Sequence, residues 1–401
     1  MFSLSGSKVD IFCEICKKCF QILNKISNFA NEMAGIYVHI PFCKSRCIYC
    51  GFYSTTRLEL RQRYVDALCR EMETRGGCRA DTVYLGGGTP SQLTPDQLRQ
   101  LFLYINKVYD VSADAEITLE CNPDDVTPAF AELLSELPVN RVSMGAQTFS
   151  DERLRFLRRR HSAVQVPRAV ELLRSAGIRN ISVDLMYGFP GQTMEEWRAD
   201  IRNVLELKAE HLSAYSLMYE ENTPLYQLLQ TGKIHETDEE LSREMYYTLI
   251  DQLAAAGYEH YEISNFARPG FRSRHNSSYW HDVPYVGLGA AAHSYDGRKR
   301  QWNTDDIEAY LEGIEAGTPQ TESEEIDEQT RYNERMMLGL RTCEGVDLRL
   351  LSEEQRRCCL QLARKYLEQG LLEQQGQQLR LTRKGLFVSD MVMSDLFMEE
   401  P

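Results

Sequence analysis

The chain has 401 residues and a formal net charge of −14, from 59 Asp and Glu against 45 Lys and Arg, and 43% of its residues are hydrophobic. This composition excludes a disordered chain and provides enough apolar residues for the cores of two or three domains. The acidic balance argues against a general nucleic-acid-binding protein, and no apolar run approaches the roughly 20 residues that span a bilayer.

The first 32 residues differ in character from the rest of the chain. They contain three closely spaced cysteines, Cys13, Cys16 and Cys19, but charged residues interrupt any apolar segment of the kind that a signal peptide has. Three thiolates could bind a metal, yet a structural zinc site needs a fourth ligand and no convincing one lies nearby. We therefore expect residues 1–32 to be a loosely ordered extension, or to lie upstream of a true start at Met33.

From Ile36 onward, short runs of β-forming residues alternate with amphipathic helical runs. The predicted strands are Ile36–Ile40, Thr82–Leu85, Glu116–Cys121, Arg141–Gly145, Ile181–Leu185 and His211–Leu217. The predicted helices are Arg57–Thr74, Pro95–Tyr109, Val166–Ala176 and Met194–Leu207. Repeated β-then-α units predict an α/β fold with a parallel sheet. Six units within residues 33–240 favour an incomplete (β/α)6 barrel, and a flat doubly wound sheet remains the alternative.

The remaining sequence predicts two further parts. Residues 241–325 extend the barrel and include the start of the polar stretch TESEEIDEQT (321–330), which we interpret as a linker. Residues 326–401 contain two helical runs and then a pattern typical of a hairpin around Gly376, which predicts a small winged-helix-like domain. Basic and acidic residues are equal in number from Arg331 to the end, so we expect a lid or a partner-docking module rather than a DNA-binding one.

Unusual residues recur where the predicted strands end, which is where barrels of this type carry their chemistry. A second cysteine group follows the first strand, the glycine run Gly86–Gly88 with Thr89 follows the second, and Gln147 follows the fourth. Glu120 ends the third strand and Asp184 ends the fifth. Each of these alone is also typical of a tight turn or of a structural hydrogen bond. Together, on one predicted rim, they indicate a site.

The second cysteine group, Cys43, Cys47 and Cys50, has the spacing Cys-x3-Cys-x2-Cys in a predicted loop. A structural zinc ion requires four protein ligands, whereas a 4Fe–4S cluster held by three thiolates keeps one iron open. S-adenosylmethionine could chelate that iron through its amino and carboxylate groups, and an electron passed to the sulfonium could release a 5′-deoxyadenosyl radical. Cysteines with metal-ligand spacing also suggest that the protein resides in a reducing compartment, the cytoplasm. Peripheral association with a membrane is an open alternative.

The segments IYVHIPFCKSRCIYCGF and YLGGGTP resemble the radical SAM superfamily, in the branch that contains oxygen-independent coproporphyrinogen oxidases. The resemblance covers Met33 to the C-terminus. The dehydrogenases of that branch carry a further cysteine two residues after the third ligand, and Phe52 stands there in this chain. RHNSSYW (Arg274–Trp280) and YVGLGAAAHSYDG (Tyr285–Gly297) resemble instead the haem-chaperone group of the branch, the HemW family.

This resemblance implies roles for particular residues. Cys43, Cys47 and Cys50 match the ligands of the 4Fe–4S cluster. The positions that match contacts to S-adenosylmethionine are Tyr37, Tyr49, Gly87, Gly88, Thr89, Glu120, Gln147, Arg159 and Asp184. His275 of the His-Asn-x-x-Tyr-Trp motif is the residue expected to contact haem, and Tyr279 and Trp280 could face the porphyrin.

The resemblance also implies the function and partners. We expect a haem chaperone that delivers haem to respiratory haemoproteins. If radical chemistry occurs, flavodoxin or ferredoxin is the expected electron donor. We expect neither a nucleic-acid partner nor a transmembrane segment. Whether the chain is an enzyme stays open. The alternative is an oxygen-independent coproporphyrinogen III dehydrogenase, which would decarboxylate its substrate oxidatively by radical chemistry.

Overall fold

Six parallel strands form the centre of the fold in the computed structural model, which describes residues 33–398. They are β1 (Met33–Ile40), β2 (Arg79–Gly87), β3 (Asp110–Cys121), β4 (Arg141–Gln147), β5 (Asn180–Tyr187) and β6 (His211–Ser216). Each strand pairs in parallel with the next one along the chain. This consecutive order excludes the doubly wound alternative, in which the strand order reverses in mid-sheet.

The helices that follow these strands are α1 (Arg61–Arg75), α2 (Pro95–Val108), α3 (Pro128–Glu136), α4 (Asp151–Phe156), α5 (Gln165–Ser175) and α6 (Met194–Glu206). Local chemistry starts several of them. Thr94 and Gln97 form a capping box at α2, with Pro95 at the first helical position, and Thr193 and Glu196 form another at α6. The sequence prediction missed α3 and α4, which are short.

Within the described residues, the sheet has twelve strands and stays open. Beyond β6 it continues through β8 (Asn265–Ala267) and β7 (Glu259–Glu262), after the helices α7 (Pro224–Gln230) and α8 (Glu239–Ala255). Beyond β1 it continues through β9 (Tyr285–Leu288), β10 (His293–Tyr295), β11 (Lys299–Asn303) and β12 (Thr321–Glu325). Only β9 among these six pairs in parallel. The predicted α/β class with an incomplete barrel is confirmed.

Side-chain direction alternates along β1 and decides which residues face the sites. Ile36, Val38 and Ile40 are fully buried in the main core. Successive side chains of a strand point to opposite faces, so Tyr37 and His39 lie on the other side of the sheet. Two further helices complete this part of the chain, α9 (Arg274–Trp280), which carries the His-Asn-x-x-Tyr-Trp motif, and α10 (Ile307–Ala316).

The polar stretch that we interpreted as a linker is ordered secondary structure. Its first five residues are β12, an exposed edge strand that pairs with β11, and α11 (Glu328–Leu340) begins three residues later. Charged side chains on both faces of β12 hid the strand from a reading based on apolar alternation. Such charges are typical of an edge strand, where they discourage pairing with another chain.

The C-terminal domain has its own core around Tyr332, Met336 and Cys359. Its helices are α11, α12 (Glu353–Glu368), α13 (Arg383–Leu386) and α14 (Ser389–Ser394), and its sheet has the order β13 (Val346–Asp347), β15 (Gln378–Leu381), β14 (Leu372–Gln375). The hairpin around Gly376 is present as predicted. Residues 1–32, with the first cysteine group, lie outside the described residues. No helix between residues 33 and 398 is long and apolar enough to cross a membrane.

Candidate functional site

The three cysteines of the second group lie in the loop after β1 and line one cavity of about 630 Å³. All three thiols are free and half-buried, and burial raises the pKa of Cys43 and of Cys50. Within residues 33–398, no three His, Cys, Asp or Glu side chains lie close enough together to hold a single metal ion. The cysteines therefore face a common space without forming a compact mononuclear site.

The cysteine loop is fixed at its base by the backbone. The Thr55 amide donates to the Pro41 carbonyl at 2.7 Å, and the Cys43 amide donates to the Thr55 carbonyl at 2.9 Å. Gly88, just after β2, donates its amide to the Ile40 carbonyl at 2.9 Å. A Cβ atom at Gly88 would lie 2.7–2.8 Å from backbone atoms of Ile40 and Pro41, so only glycine fits there.

Most of the predicted rim residues line the same cavity: Tyr49, Gly88, Thr89, Glu120, Gln147, Arg159 and Asp184. Glu120 accepts a hydrogen bond from the Tyr84 hydroxyl at 2.6 Å and another from the Gly87 amide at 3.1 Å. Burial raises the pKa of Glu120 to about 7 and also raises the pKa of Asp184. The cavity thus places carboxylates beside the thiols.

Arg159 is the basic residue that links the thiols to the rim. Its Nη1 donates to the Cys47 sulfur at 3.5 Å, and its Nη2 donates to the Gly145 carbonyl at 2.6 Å and to Asn122. Arg159 therefore brings a fixed positive charge into contact with one of the three thiols of the cavity.

Two of the residues expected to bind S-adenosylmethionine lie outside the lining of this cavity. Gly87 acts only through its amide on Glu120. The Tyr37 hydroxyl bonds the Nδ1 atom of His39 at 2.9 Å, and its ring lines a second cavity instead. Burial raises the pKa of Tyr37, so its hydroxyl stays protonated.

Arg141 is a cavity residue that the sequence prediction missed. It is 1% exposed, it lines the first cavity, and its Nε and Nη1 atoms have no hydrogen-bond partner among the described residues. Unpaired buried donors are rare because they lose their hydration without compensation. Three thiols together with these donors fit a cluster and a ligand that carries carboxylate or hydroxyl groups. The sequence feature that could have identified Arg141 is an arginine at the start of an otherwise apolar strand.

The second cavity, of about 410 Å³, lies between α9, the strands β9–β11 and α11. Aromatic side chains dominate its lining: Tyr37, Phe52, Tyr53, Tyr279, Trp280, Tyr285 and Tyr295. Phe52, where the dehydrogenases carry a cysteine, is 73% exposed and lines both cavities. The sequence resemblance implied that Tyr279 and Trp280 could face a porphyrin, and it did not identify this cavity.

His275 lies behind this cavity rather than in its lining. It is 1% exposed, its Nδ1 bonds the Thr82 hydroxyl at 2.8 Å, and its Nε2 bonds the Tyr279 hydroxyl at 2.8 Å. Burial lowers the pKa of His275 to about 3, so the ring is neutral. Both ring nitrogens are occupied, and contact with a haem iron would require one of these bonds to break.

Comparisons with known proteins identify the domains and the fold of the chain. The model of the radical SAM superfamily matches residues 37–204, and the model of the HemN C-terminal domain matches residues 326–388. A solved structure of coproporphyrinogen III oxidase (HemN) from Escherichia coli, a radical SAM enzyme, superposes with a TM-score of 0.81 at 21% identity, covering 94% of this chain and 93% of that one. That likeness establishes the fold.

Sequence relatives define the family more closely. A Bacillus subtilis strain 168 protein named heme chaperone HemW is 37% identical over 371 residues, which cover 90% of this chain and 98% of the relative. The protein of the same name from Lactococcus lactis subsp. lactis strain IL1403 is 35% identical, covering 91% of this chain and 97% of the relative. This chain belongs to the HemW family within the radical SAM superfamily.

Proposed function

We propose that the protein is a haem chaperone, which binds haem in the second cavity and delivers it to other proteins, with respiratory haemoproteins as the recipients. The observation that carries this proposal is an aromatic cavity built on the His-Asn-x-x-Tyr-Trp helix, separate from the cavity that contains the cysteines. The relatives over nearly the whole chain are named as haem chaperones.

The second cavity suits a flat, mostly apolar ligand. Its volume of about 410 Å³ falls in the range of small-molecule sites, roughly 300–1,000 Å³. Tyr279 and Tyr285 meet edge to face with centroids 4.7 Å apart, which makes a rigid aromatic wall. Trp280 also lines the cavity, and its buried indole Nε1 has no partner within the described part of the chain.

The first cavity would hold the cofactors of the superfamily, a 4Fe–4S cluster and S-adenosylmethionine. Cys43, Cys47 and Cys50 are the proposed cluster ligands, and a bound cluster would supply one-electron chemistry. The proposed S-adenosylmethionine contacts that line the cavity are Tyr49, Gly88, Thr89, Glu120, Gln147, Arg159 and Asp184. Gly87 contributes by orienting Glu120, and Tyr37 forms part of the boundary between the two cavities.

Within the motif, Tyr279 would contact the porphyrin, and His275 would hold Tyr279 in place through their hydrogen bond. Phe52 separates this proposal from the dehydrogenase alternative. Its exposed ring occupies the position of the dehydrogenases' additional cysteine and presents an apolar surface to both cavities.

The test is anaerobic purification and cluster reconstitution, followed by titration with haem and transfer to a haem-depleted respiratory oxidase. We expect stoichiometric haem binding and recovery of oxidase activity, and no turnover of coproporphyrinogen with S-adenosylmethionine and a reductant. A Tyr279→Ala variant should weaken haem binding, whereas Tyr226→Ala, on α7 and outside the second cavity, should not. Absence of haem binding would overturn the proposal, and coproporphyrinogen turnover would favour the dehydrogenase.

A further inference from the structure

The second cavity contains a histidine whose ring is free to bind, His293 on β10. Side chains two residues apart share one face of a strand, and His293 and Tyr295 of this strand both line the cavity. His293 is exposed, and neither of its ring nitrogens has a hydrogen-bond partner among residues 33–398. The only other histidine in this lining is His39, whose two ring nitrogens bond the Tyr37 hydroxyl and the Tyr53 carbonyl.

We propose that His293 provides the nitrogen ligand to the haem iron, and that His275 is a positioning residue behind the cavity wall. This inference rests on the proposed function and names the iron-binding atom of the same site. A neutral imidazole nitrogen is a common protein ligand of haem iron. Among the described histidines that line the cavity, His293 offers such a nitrogen without the loss of an existing hydrogen bond.

The surroundings of His293 hold its ring in a defined orientation. His293 is the cross-strand partner of Trp302 on β11, and the two rings stack with centroids 5.6 Å apart and an interplanar angle of 23°. Partial desolvation of its ring and the nearby Arg300 lower the pKa of His293, and Glu324 opposes them; the net shift favours the neutral imidazole, the form that binds iron. The stack fixes the ring while both nitrogens remain available.

The neighbouring residues suit the rest of a porphyrin. Tyr295 lies two residues along the same strand face, and Arg300 is its cross-strand partner. Arg300 pairs with Glu334 at 2.5 Å and with Glu324 at 2.9 Å, so a porphyrin carboxylate that approached it would compete with those partners. The indole Nε1 of Trp280, another lining residue, has no hydrogen-bond partner among the described residues.

The test uses the full chain, reconstituted with its cluster in the oxidised state and loaded with ferric haem. Electron paramagnetic resonance then reports the ligation of the haem iron. We expect His293→Ala to remove the signature of nitrogen ligation and to raise the dissociation constant of haem by about tenfold or more. Added imidazole should restore the signature, because it supplies the missing ligand. His281→Ala is the matched control. His281 is exposed, directly follows helix α9 and lies outside the cavity lining.

The outcomes separate the inference from the proposed function. An unchanged signature in His293→Ala, with haem still bound, would overturn the assignment of His293 and leave the haem-chaperone proposal standing. A loss that imidazole does not repair would also count against direct ligation. His275→Asn should retain nitrogen ligation, and transfer of the effect to that variant would favour His275. If the wild-type protein binds no haem, the proposed function itself fails.

Discussion

The packing of Gly88 against the cysteine loop predicts that Gly88→Ala prevents the loop from holding a cluster. The new Cβ would lie 2.7 Å from the Pro41 carbonyl carbon, whereas ordinary contacts begin at 3.4 Å, so the backbone must move by the difference, 0.7 Å. Pro41 anchors the loop through its bond with Thr55 and lies two residues before Cys43. Overpacking of this kind costs about 1–3 kcal/mol, and functional sites tolerate displacements of only about 0.5 Å.

The assay is the iron and acid-labile sulfide content per chain after anaerobic reconstitution, with thermal unfolding measured on the same samples. We expect Gly88→Ala to bind substantially less iron and to unfold at a lower temperature than the wild type. Gly51→Ala is the matched control in the same loop, because its Cβ would meet only the flexible side chain of Glu220, at 3.3 Å. A Gly88→Ala protein with full cluster content and unchanged unfolding would refute the packing argument.

Three further predictions concern other parts of the structure. Cys47→Ser should abolish cluster assembly, measured as iron and sulfide content, whereas Cys343→Ser, at an exposed thiol outside the cavity, should not. Glu71→Ala should lower the free energy of unfolding by about 3–5 kcal/mol, measured in denaturant. The Glu71 carboxylate accepts hydrogen bonds from the Gly289 amide, the Asn303 side-chain amide and the Tyr310 hydroxyl, and the substitution leaves these buried donors without that acceptor. Glu71→Gln should lower the stability less, and an equal loss in the two variants would contradict this explanation. Burial raises the pKa of Glu120 to about 7, so its carboxyl gains a proton as the pH falls from 8 to 6 and then attracts a cationic ligand group less strongly. Calorimetry should therefore show weaker S-adenosylmethionine binding at pH 6 than at pH 8. A Glu120→Gln protein with the same pH dependence would contradict this role of Glu120.

The parts of the fold that the sequence predicted are those governed by local patterns. The sequence located all six central strands, because the strands of a parallel sheet covered by helices appear in the sequence as short runs of β-branched and apolar residues. The structure extends most of them by one or more residues, as with β3, which begins at Asp110 rather than at Glu116. The cysteine loop and the glycine run were recognisable because cysteine spacing and glycine clusters are local and rare.

The remaining features depend on contacts between distant segments. Arg141 lines the first cavity because β4 lies between β3 and β5 in the sheet. The sequence of β4 taken alone indicates only that Arg141 begins a strand. The second cavity combines the cysteine loop, α9, β10 and α11, which are far apart in sequence. The hydrogen bonds that occupy both nitrogens of His275 involve Thr82, 193 residues away, and could not be anticipated from its motif.

The second cavity has a wall from each domain, since α11 of the C-terminal domain contributes Glu334 and Leu338 to a lining that otherwise comes from the barrel and its extension. A molecule that fills this cavity must touch both domains. On the proposed function, the C-terminal domain is therefore part of the haem site itself, and the barrel with its extension forms only the remainder of that site.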